Sequence, residues 1–137
     1  MSSSEHTPHL ACQNLLIESY RLVDEGHAGL VTELFTADGR FSIAGAADAA
    51  GKEALTRMFA AREADQARRT KHCLTNLSFA ERSASEAVGR ATLLLFVLND
   101  ADPTTPKALA EVEDRYRLED GTWRIAARTT TLMAGGT

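Results

Sequence analysis

Residues 109–132 have the sequence LAEVEDRYRLEDGTWRIAARTTTL, and this stretch decides how the second half of the chain folds. Apolar and polar residues alternate on both sides of Asp120-Gly121, which is the period of a strand with one buried face. An Asp-Gly pair between two such segments favours a tight turn, because glycine tolerates the positive φ that the turn requires. We therefore predict an antiparallel hairpin with strands at residues 109–119 and 122–132.

A two-residue loop also predicts which residues of the hairpin lie opposite each other. The expected pairs are Leu118 with Trp123, Tyr116 with Ile125, Asp114 with Ala127, and Glu113 with Arg128. In this register Arg128 lies on the polar face, where a cross-strand ion pair with Glu113 explains it and a substrate contact is the alternative. Asp114 falls on the otherwise apolar face, so it either lines a polar cavity or caps a backbone group.

Periodicity outward from the hairpin predicts the remaining elements. Strands are expected at residues 40–44, 70–79 and 88–99, and helices at residues 10–26, 27–35 and 52–65. The first part of the chain is mainly helical and the part after residue 69 is made of strands, so we predict an α+β fold rather than an alternating α/β fold. Ala37-Asp38-Gly39 is expected to form a turn and residues 45–51 a small, flexible segment.

The predicted strand at residues 88–99 is apolar on both of its faces, which is typical of a central strand. A single layer of helices covers only one face of a sheet. We therefore expect the outer face to be covered by a second copy of the chain, giving a homodimer.

One carboxylate stands out in the first predicted helix. At 100° per residue, Asp24 falls between Tyr20 and Ile17, inside an apolar arc. That arc continues through Leu16, Val23, Ser19, Cys12, Leu15 and Leu22. Burying an unpaired charge is costly, so Asp24 requires a cationic or hydrogen-bonding partner. A histidine is the partner to look for.

Length, charge and cysteine usage exclude several classes of protein. A chain of 137 residues suits a single domain over residues 1–137, with residues 1–8 as a flexible tail. The net charge of −4 argues against nucleic acid and anionic membranes as partners. Cys12 and Cys73 match neither a disulfide framework nor a zinc pattern, which favours a reducing cytoplasm. We expect neither a signal peptide nor a membrane span.

Five stretches, taken together and in order, carry a family resemblance. They are YRLVDEG at residues 20–26, LFTADGRF at 34–41, the glycine-bounded segment 45–51 before a helix, KHCLTN at 71–76 and DGTWRI at 120–125. The chain resembles the SnoaL-like branch of the nuclear transport factor 2-like superfamily. Similar proteins in this branch are scytalone dehydratase, bile-acid dehydratase, hexachlorocyclohexane dehydrochlorinase and polyketide cyclases.

The resemblance implies a cone-shaped, curved antiparallel sheet wrapped around three helices, a cystatin-like α+β barrel with an apolar pocket at its open end, often as a homodimer. It also implies that His72 and Asp24 form a pocket dyad, because they match the histidine and aspartate of the dehydratases and the dehydrochlorinase. The chain departs from the scytalone-type site, which has more tyrosines and a second histidine, in two respects. It has only two tyrosines, Tyr20 and Tyr116, and no histidine after His72.

The residue types themselves indicate proton-transfer chemistry. An imidazole held by a buried carboxylate has a fixed tautomer and a stabilised cationic form, so His72 is a candidate general base. Tyr20 precedes Asp24 by one helical turn and is a candidate hydrogen-bond donor to a substrate oxygen. Asn76 shares the predicted face of His72 and is a candidate substrate-binding residue that could donate a hydrogen bond in the same way. Further candidates for substrate binding are Phe35, Phe41, Phe59, Leu94, Phe96, Asp114, Tyr116, Trp123 and Arg128.

Three functions fit these features. The first is a cofactor-independent lyase or isomerase, dehydratase-like in its chemistry, that acts on a small apolar or ring-containing substrate. The second is a polyketide-type cyclase. The third is a non-catalytic ligand-binding or dimerisation module, which has less need for a charge in an apolar arc. We expect no cofactor and no metal ion, because the remaining histidines show no metal-ligand spacing.

Overall fold

The computed structural model describes residues 7–136, so most of the predicted N-terminal tail lies outside the described residues. The helices are α1 (Thr7–Asp24), a 3₁₀ helix (Ala28–Leu34) and α2 (Lys52–Ala64). The strands are β1 (Phe35–Ile43), β2 (Ala47–Ala50), β3 (Thr70–Ser83), β4 (Glu86–Val97), β5 (Ala108–Glu119) and β6 (Thr122–Gly135). The predicted α+β class, with three helical segments preceding the long strands, is confirmed.

The strands form one six-stranded sheet in the order β2-β1-β6-β5-β4-β3. Across the described residues the sheet is curved and does not close into a barrel. The pairings from β3 to β6 are antiparallel, as expected, but β1 pairs with β6 in parallel. Because β1 and β6 are not joined by a hairpin turn, no local connection dictates their relative direction. The sheet is therefore mixed.

Two local predictions in the first half of the chain were wrong. Residues 37–39 do not end an element but lie inside β1, where the pairing to β6 jumps from Phe35 to Arg40. Within this irregularity the Thr36 hydroxyl donates to Asp38 Oδ1 at 2.8 Å. The turn-forming residues thus distort a strand without stopping it. Residues 47–50, expected to be flexible, form the edge strand β2.

The β5–β6 hairpin contains the predicted turn, with Asp120 and Gly121 at φ 52° and 78°. Its register is as predicted as far as the Tyr116–Ile125 pair and then shifts by one residue. Ala126 is the extra residue of a β-bulge, since the next pairs are Arg115 with Ala127 and Asp114 with Arg128. The predicted pairing of Arg128 with Glu113 was therefore wrong, and Arg128 lies on the inner face of the sheet.

The inner face of the sheet packs against the helices. Helix α1 buries Cys12, Leu16 and Tyr20, and α2 buries Leu55 and Phe59. No helix in the described part of the chain has the length and apolarity that a bilayer crossing needs. The two layers do not meet everywhere, and the space between them forms a cavity.

Candidate functional site

The cavity between the sheet and the two α-helices encloses about 380 Å³. This volume is in the range of small-molecule sites. Its walls are mainly apolar, and they are lined by Ser19, Tyr20, Val23, Val31, Phe41, Ile43, Ala47, Met58, Phe59, Arg62, Arg68, Thr70, His72, Leu93, Leu95, Ala108, Ala110, Arg128, Thr130 and Leu132. The polar members gather near the start of β3 and the inner face of β6.

His72 and Asp24 are in direct contact at the wall of this cavity. His72 Nδ1 lies 2.6 Å from Asp24 Oδ1, and the main-chain N–H of His72 donates to Asp24 Oδ2 at 2.8 Å. The side chains are 14% and 8% exposed, so the contact is shielded from bulk water. Asp24 is the last residue of α1 and His72 the third of β3, and the packing of that helix on that strand brings them together.

The ionised form of Asp24 is favoured by its surroundings. Burial raises its pKa, but hydrogen bonds and the charge of His72, together with the Thr70 hydroxyl, outweigh burial and hold the pKa below its usual value. A carboxylate accepts hydrogen bonds only, so the network assigns the proton to His72 Nδ1. Nε2 is then the ring nitrogen left for a molecule in the cavity.

Thr70 and Arg62 extend this network behind the dyad. The Thr70 hydroxyl donates to Asp24 Oδ1 at 2.9 Å and accepts from Arg62 Nη2 at 3.1 Å. Arg62 also donates to the main-chain carbonyls of Arg68 and Asp65, at 3.1 and 3.2 Å. The loop between α2 and β3 is thereby tied to the start of β3. These contacts restrain the carboxylate that orients His72.

Arg128 occupies a second polar part of the wall, and its side chain is 2% exposed. Nε and Nη2 donate to the two oxygens of Asp114, at 2.6 and 2.8 Å, and the Tyr116 hydroxyl donates to the same carboxylate at 3.0 Å. Neither alternative predicted for Asp114 is therefore observed, because it binds Arg128 and does not line the cavity. Burial lowers the pKa of Arg128, but the negative charge of Asp114 outweighs this and raises it, so Arg128 stays charged.

Tyr20 links the two polar regions. The centroid of its ring lies 4.9 Å from that of the His72 ring and 4.6 Å from Arg128 Cζ. Burial raises the pKa of Tyr20, so the phenol stays protonated despite the positive charge of Arg128. Thr130 and Arg128 act on the pKa of the hydroxyl in the opposite direction but do not outweigh burial. A neutral phenol on the cavity wall is a suitable hydrogen-bond donor.

The structure brings some of the candidate residues to the cavity and places others elsewhere. Tyr20, His72, Phe41, Phe59 and Arg128 line it. Three other candidates are buried in the core and do not line the cavity, namely Phe35, Tyr116 and Trp123. The Phe35 ring centroid nevertheless lies 6.0 Å from Arg128 Cζ. Leu94 and Phe96 point to the opposite face of β4, because the cavity is lined by their neighbours Leu93 and Leu95.

Asn76 is exposed and outside the cavity, and a second β-bulge explains its position. The pairing of β3 with β4 shifts between Thr75 and Ser78, and Asn76 adopts φ 54° there. The predicted alternation of faces holds from His72 to Leu74 and is broken at this bulge. Leu77, one residue after Asn76, packs against the same core cluster as Leu74.

Thr70, Arg62 and Arg68 were not among the candidate residues. Arg62 had a detectable signal, because it shares the apolar face of α2 with Leu55, Met58 and Phe59 at helical spacing. A charge on an apolar face is the same signal that singled out Asp24. Arg68 has no such signal, since its position depends on the path of a loop. Among residues 7–136, no group of three or more metal-ligating side chains is placed to hold a metal ion.

Comparison with known proteins places the chain in a family. The profile of the SnoaL-like domain matches residues 5–129. The chain belongs to the SnoaL-like domain family. The comparison with curated proteins gave no significant match.

Solved structures share the fold of this SnoaL-like protein. A hexachlorocyclohexane dehydrochlorinase from Novosphingobium barchaimii is 18% identical with a TM-score of 0.80, over 95% of this chain and 89% of its own. A nuclear transport factor 2-like protein with a cystatin-like fold from Novosphingobium aromaticivorans is 21% identical with a TM-score of 0.81, over 94% and 84%. ActVI-ORFA from Streptomyces coelicolor is 16% identical with a TM-score of 0.75, over 91% and 97%. At these identities the likeness concerns the fold.

Proposed function

We propose that this protein is a cofactor-independent lyase or isomerase that removes a carbon-bound proton from a small, ring-containing molecule. The observation that carries the proposal is the contact between His72 Nδ1 and the Asp24 carboxylate at the wall of an apolar cavity. Family membership supports the same class, because the dehydrochlorinase that shares the fold is by its name a catalyst of elimination.

In the proposed reaction His72 is the general base. Nε2 accepts the proton while the electron pair of the C–H bond moves into the substrate, and the imidazolium that forms is stabilised by Asp24. In a lyase the electron pair expels a leaving group from the neighbouring carbon. In an isomerase the proton returns to a different carbon. Both outcomes use the same first step, and so does an aldol cyclisation.

The negative charge that develops on a substrate oxygen requires stabilisation in the cavity. Tyr20 is the proposed donor, because its phenol is neutral and its ring lies beside His72. Arg128 supplies a permanent positive charge behind Tyr20 and stays charged through Asp114. Fixed dipoles and charges of this kind, in a site with little water, stabilise an oxyanion without reorganisation.

The walls of the cavity favour a ring as the apolar part of the substrate. Phe41 and Phe59 meet edge to face, with ring centroids 5.8 Å apart, and both line the cavity. Leu93 and Leu95 lie in the same lining from β4. Aromatic and aliphatic surfaces of this kind bind planar rings through area burial.

Proton abstraction can be tested without knowing the natural substrate. The probe is 2-tetralone in D₂O, whose acidic C1 protons are replaced by deuterium when a base forms the enolate. Loss of the C1 signal is followed by proton NMR. We expect the protein to accelerate exchange, His72→Ala to abolish the acceleration, and Asp24→Asn to reduce it. Loss of a positioned base is expected to cost about 10²- to 10⁴-fold.

The matched control is His27→Ala, because His27 is an exposed histidine outside the cavity lining. That variant should exchange at the rate of the parent protein. Exchange that is no faster than in buffer, or equal rates in His72→Ala and His27→Ala, would contradict the proposal. A protein that binds the probe without accelerating exchange would instead be a ligand-binding module.

We also propose that the outer face of the sheet forms a homodimer. The outward side chains of β4 include Leu94 and Phe96, which are half-buried within a single copy of the chain. Met133 of β6 is 60% exposed. Apolar residues on an open sheet face favour association with a second copy of that face.

A further inference from the structure

The charges on the cavity wall are strongly one-sided. The lining contains three arginines and a histidine, and none of its members in the described chain is Asp or Glu. Arg128 already has the carboxylate of Asp114 as a partner, and His72 has that of Asp24. The two arginines that remain, Arg62 and Arg68, therefore decide the charge that a bound molecule meets.

Arg62 is hydrogen-bonded but not neutralised. Its acceptors are two main-chain carbonyls and the Thr70 hydroxyl, none of which carries a full negative charge. Burial lowers the pKa of Arg62, and the positive charge of Arg68 lowers it further, while Asp65 and Asp24 act in the opposite direction. Both arginines line the same cavity, so two positive charges lie in its wall. Two positive charges in one wall attract an anion, because a bound negative charge offsets their mutual repulsion.

Arg68 is the arginine that is free to reach a ligand. It is partly buried, lines the cavity, and makes no ion pair with any other residue between positions 7 and 136. The nearest carboxylate in the loop, Asp65, accepts a hydrogen bond from the main-chain N–H of Arg68 at 3.3 Å and is itself exposed. The guanidinium of Arg68 therefore keeps its donors available.

We propose that the molecule bound in this cavity carries a carboxylate, and that Arg68 binds it beside His72 while the apolar ring lies against Phe41 and Phe59. The planar fork of a guanidinium matches the two oxygens of a carboxylate and binds them with charge-assisted hydrogen bonds. Arg68 is thus a residue that determines substrate specificity. This inference rests on the proposed function, because it names the substrate class of the same site.

The position of Arg68 places the anion at the reacting end of the cavity. Its main-chain carbonyl is held by Arg62, which reaches the dyad through Thr70 and Asp24. A carboxylate held there brings the carbon next to it toward His72. The positive charge of Arg62 then also stabilises the negative charge that develops on the substrate when this carbon loses its proton.

The inference is tested by binding alone, with 2-naphthoate and its neutral counterpart 2-naphthamide as probes. The two compounds share ring and shape, and isothermal titration calorimetry at constant ionic strength gives both dissociation constants. We expect 2-naphthoate to bind about ten-fold tighter than 2-naphthamide. Arg68→Gln should remove most of this preference by weakening 2-naphthoate only, and Arg68→Lys should retain part of it. Unchanged 2-naphthamide binding shows that the variant is folded.

The matched control is Arg69→Gln, which makes the same change in charge one residue away on an exposed side chain outside the cavity lining. It should leave the preference for 2-naphthoate intact. Failure of 2-naphthoate to bind, equal affinity for both probes, or equal effects of Arg68→Gln and Arg69→Gln would overturn the inference. His72→Ala should still prefer 2-naphthoate, so the result is independent of whether proton abstraction occurs.

Discussion

Asp114 and Arg128 lie opposite each other on β5 and β6 and are joined by two hydrogen bonds, with both side chains almost completely buried. The pair exists because Ala126 bulges from β6 and turns Arg128 to the inner face. The bulge therefore places the positive charge of Arg128 in the cavity wall and also pairs it with the carboxylate of Asp114, which does not line the cavity. A permanent positive charge is held beside Tyr20 without a free carboxylate in the cavity.

Removing one partner of this pair should strongly destabilise the protein. Asp114→Ala leaves Arg128 buried and unpaired, which we expect to lower the free energy of unfolding by about 3–5 kcal/mol. The double variant Asp114→Ala, Arg128→Met removes both charges and should recover much of the loss. Urea denaturation followed by circular dichroism measures both. Asp48→Ala, which breaks the exposed pair with Arg40, is the control and should have a much smaller effect. Equal losses of unfolding free energy in Asp114→Ala and Asp48→Ala would contradict a stabilising role for the buried pair.

Acid should destabilise the protein partly through Asp24. Its pKa in the folded state lies below the ordinary value of 3.8, so the carboxylate contributes stability above that value. This contribution is lost as the pH falls below 3.8 through the folded-state pKa, because the unfolded chain binds the proton more tightly. Asp24→Asn should be less stable near neutral pH, and its stability should fall less steeply below pH 4. Unfolding free energies between pH 7 and pH 2.5 test this, and parallel profiles for the two proteins would refute it.

Gly89 should not tolerate a larger residue. A Cβ at this position would lie 2.7 Å from Phe79 Cε1 and 2.9 Å from Tyr116 Cε2. The Tyr116 ring cannot easily move, because its hydroxyl donates to Asp114. We expect Gly89→Ala to cost about 1–3 kcal/mol through overpacking. Gly136→Ala, where a Cβ meets no atom within 4 Å, should leave the thermal unfolding midpoint unchanged. Matching midpoints in both variants would show that the ring can yield.

The proposed dimer predicts a change in mass on mutation of the outer sheet face. The parent protein should have twice the mass of the chain by light scattering at micromolar concentration. Phe96→Glu places a charge on the outer face of β4 and should yield the monomer. Leu30→Glu is the control, because Leu30 is 55% exposed on the 3₁₀ helix, away from that face. A monomeric parent protein would rule out this dimer.

Local sequence patterns are sufficient for much of the fold. The period of two around Asp120-Gly121 and the helical spacing of residues 10–26 and 52–65 each report on neighbouring residues only, so they are legible in one sequence. The same applies to Asp24, whose misplaced charge indicates that a partner must exist. The family resemblance then pointed to His72, because no local rule connects residues 48 positions apart.

The tertiary structure decided the positions at which the alternation of faces along a strand is interrupted. A bulge adds one residue and turns every later side chain to the other face, so Ala126 brought Arg128 inward and the bulge at Asn76 kept that residue out of the cavity. Whether a bulge forms depends on packing across the whole sheet, and no short stretch of sequence records it. The same holds for Arg68, which lines the cavity from a loop that Arg62 ties to Thr70 at the start of β3. Alternation and turn chemistry determined the elements, whereas the summed non-local contacts determined which side chains share a wall.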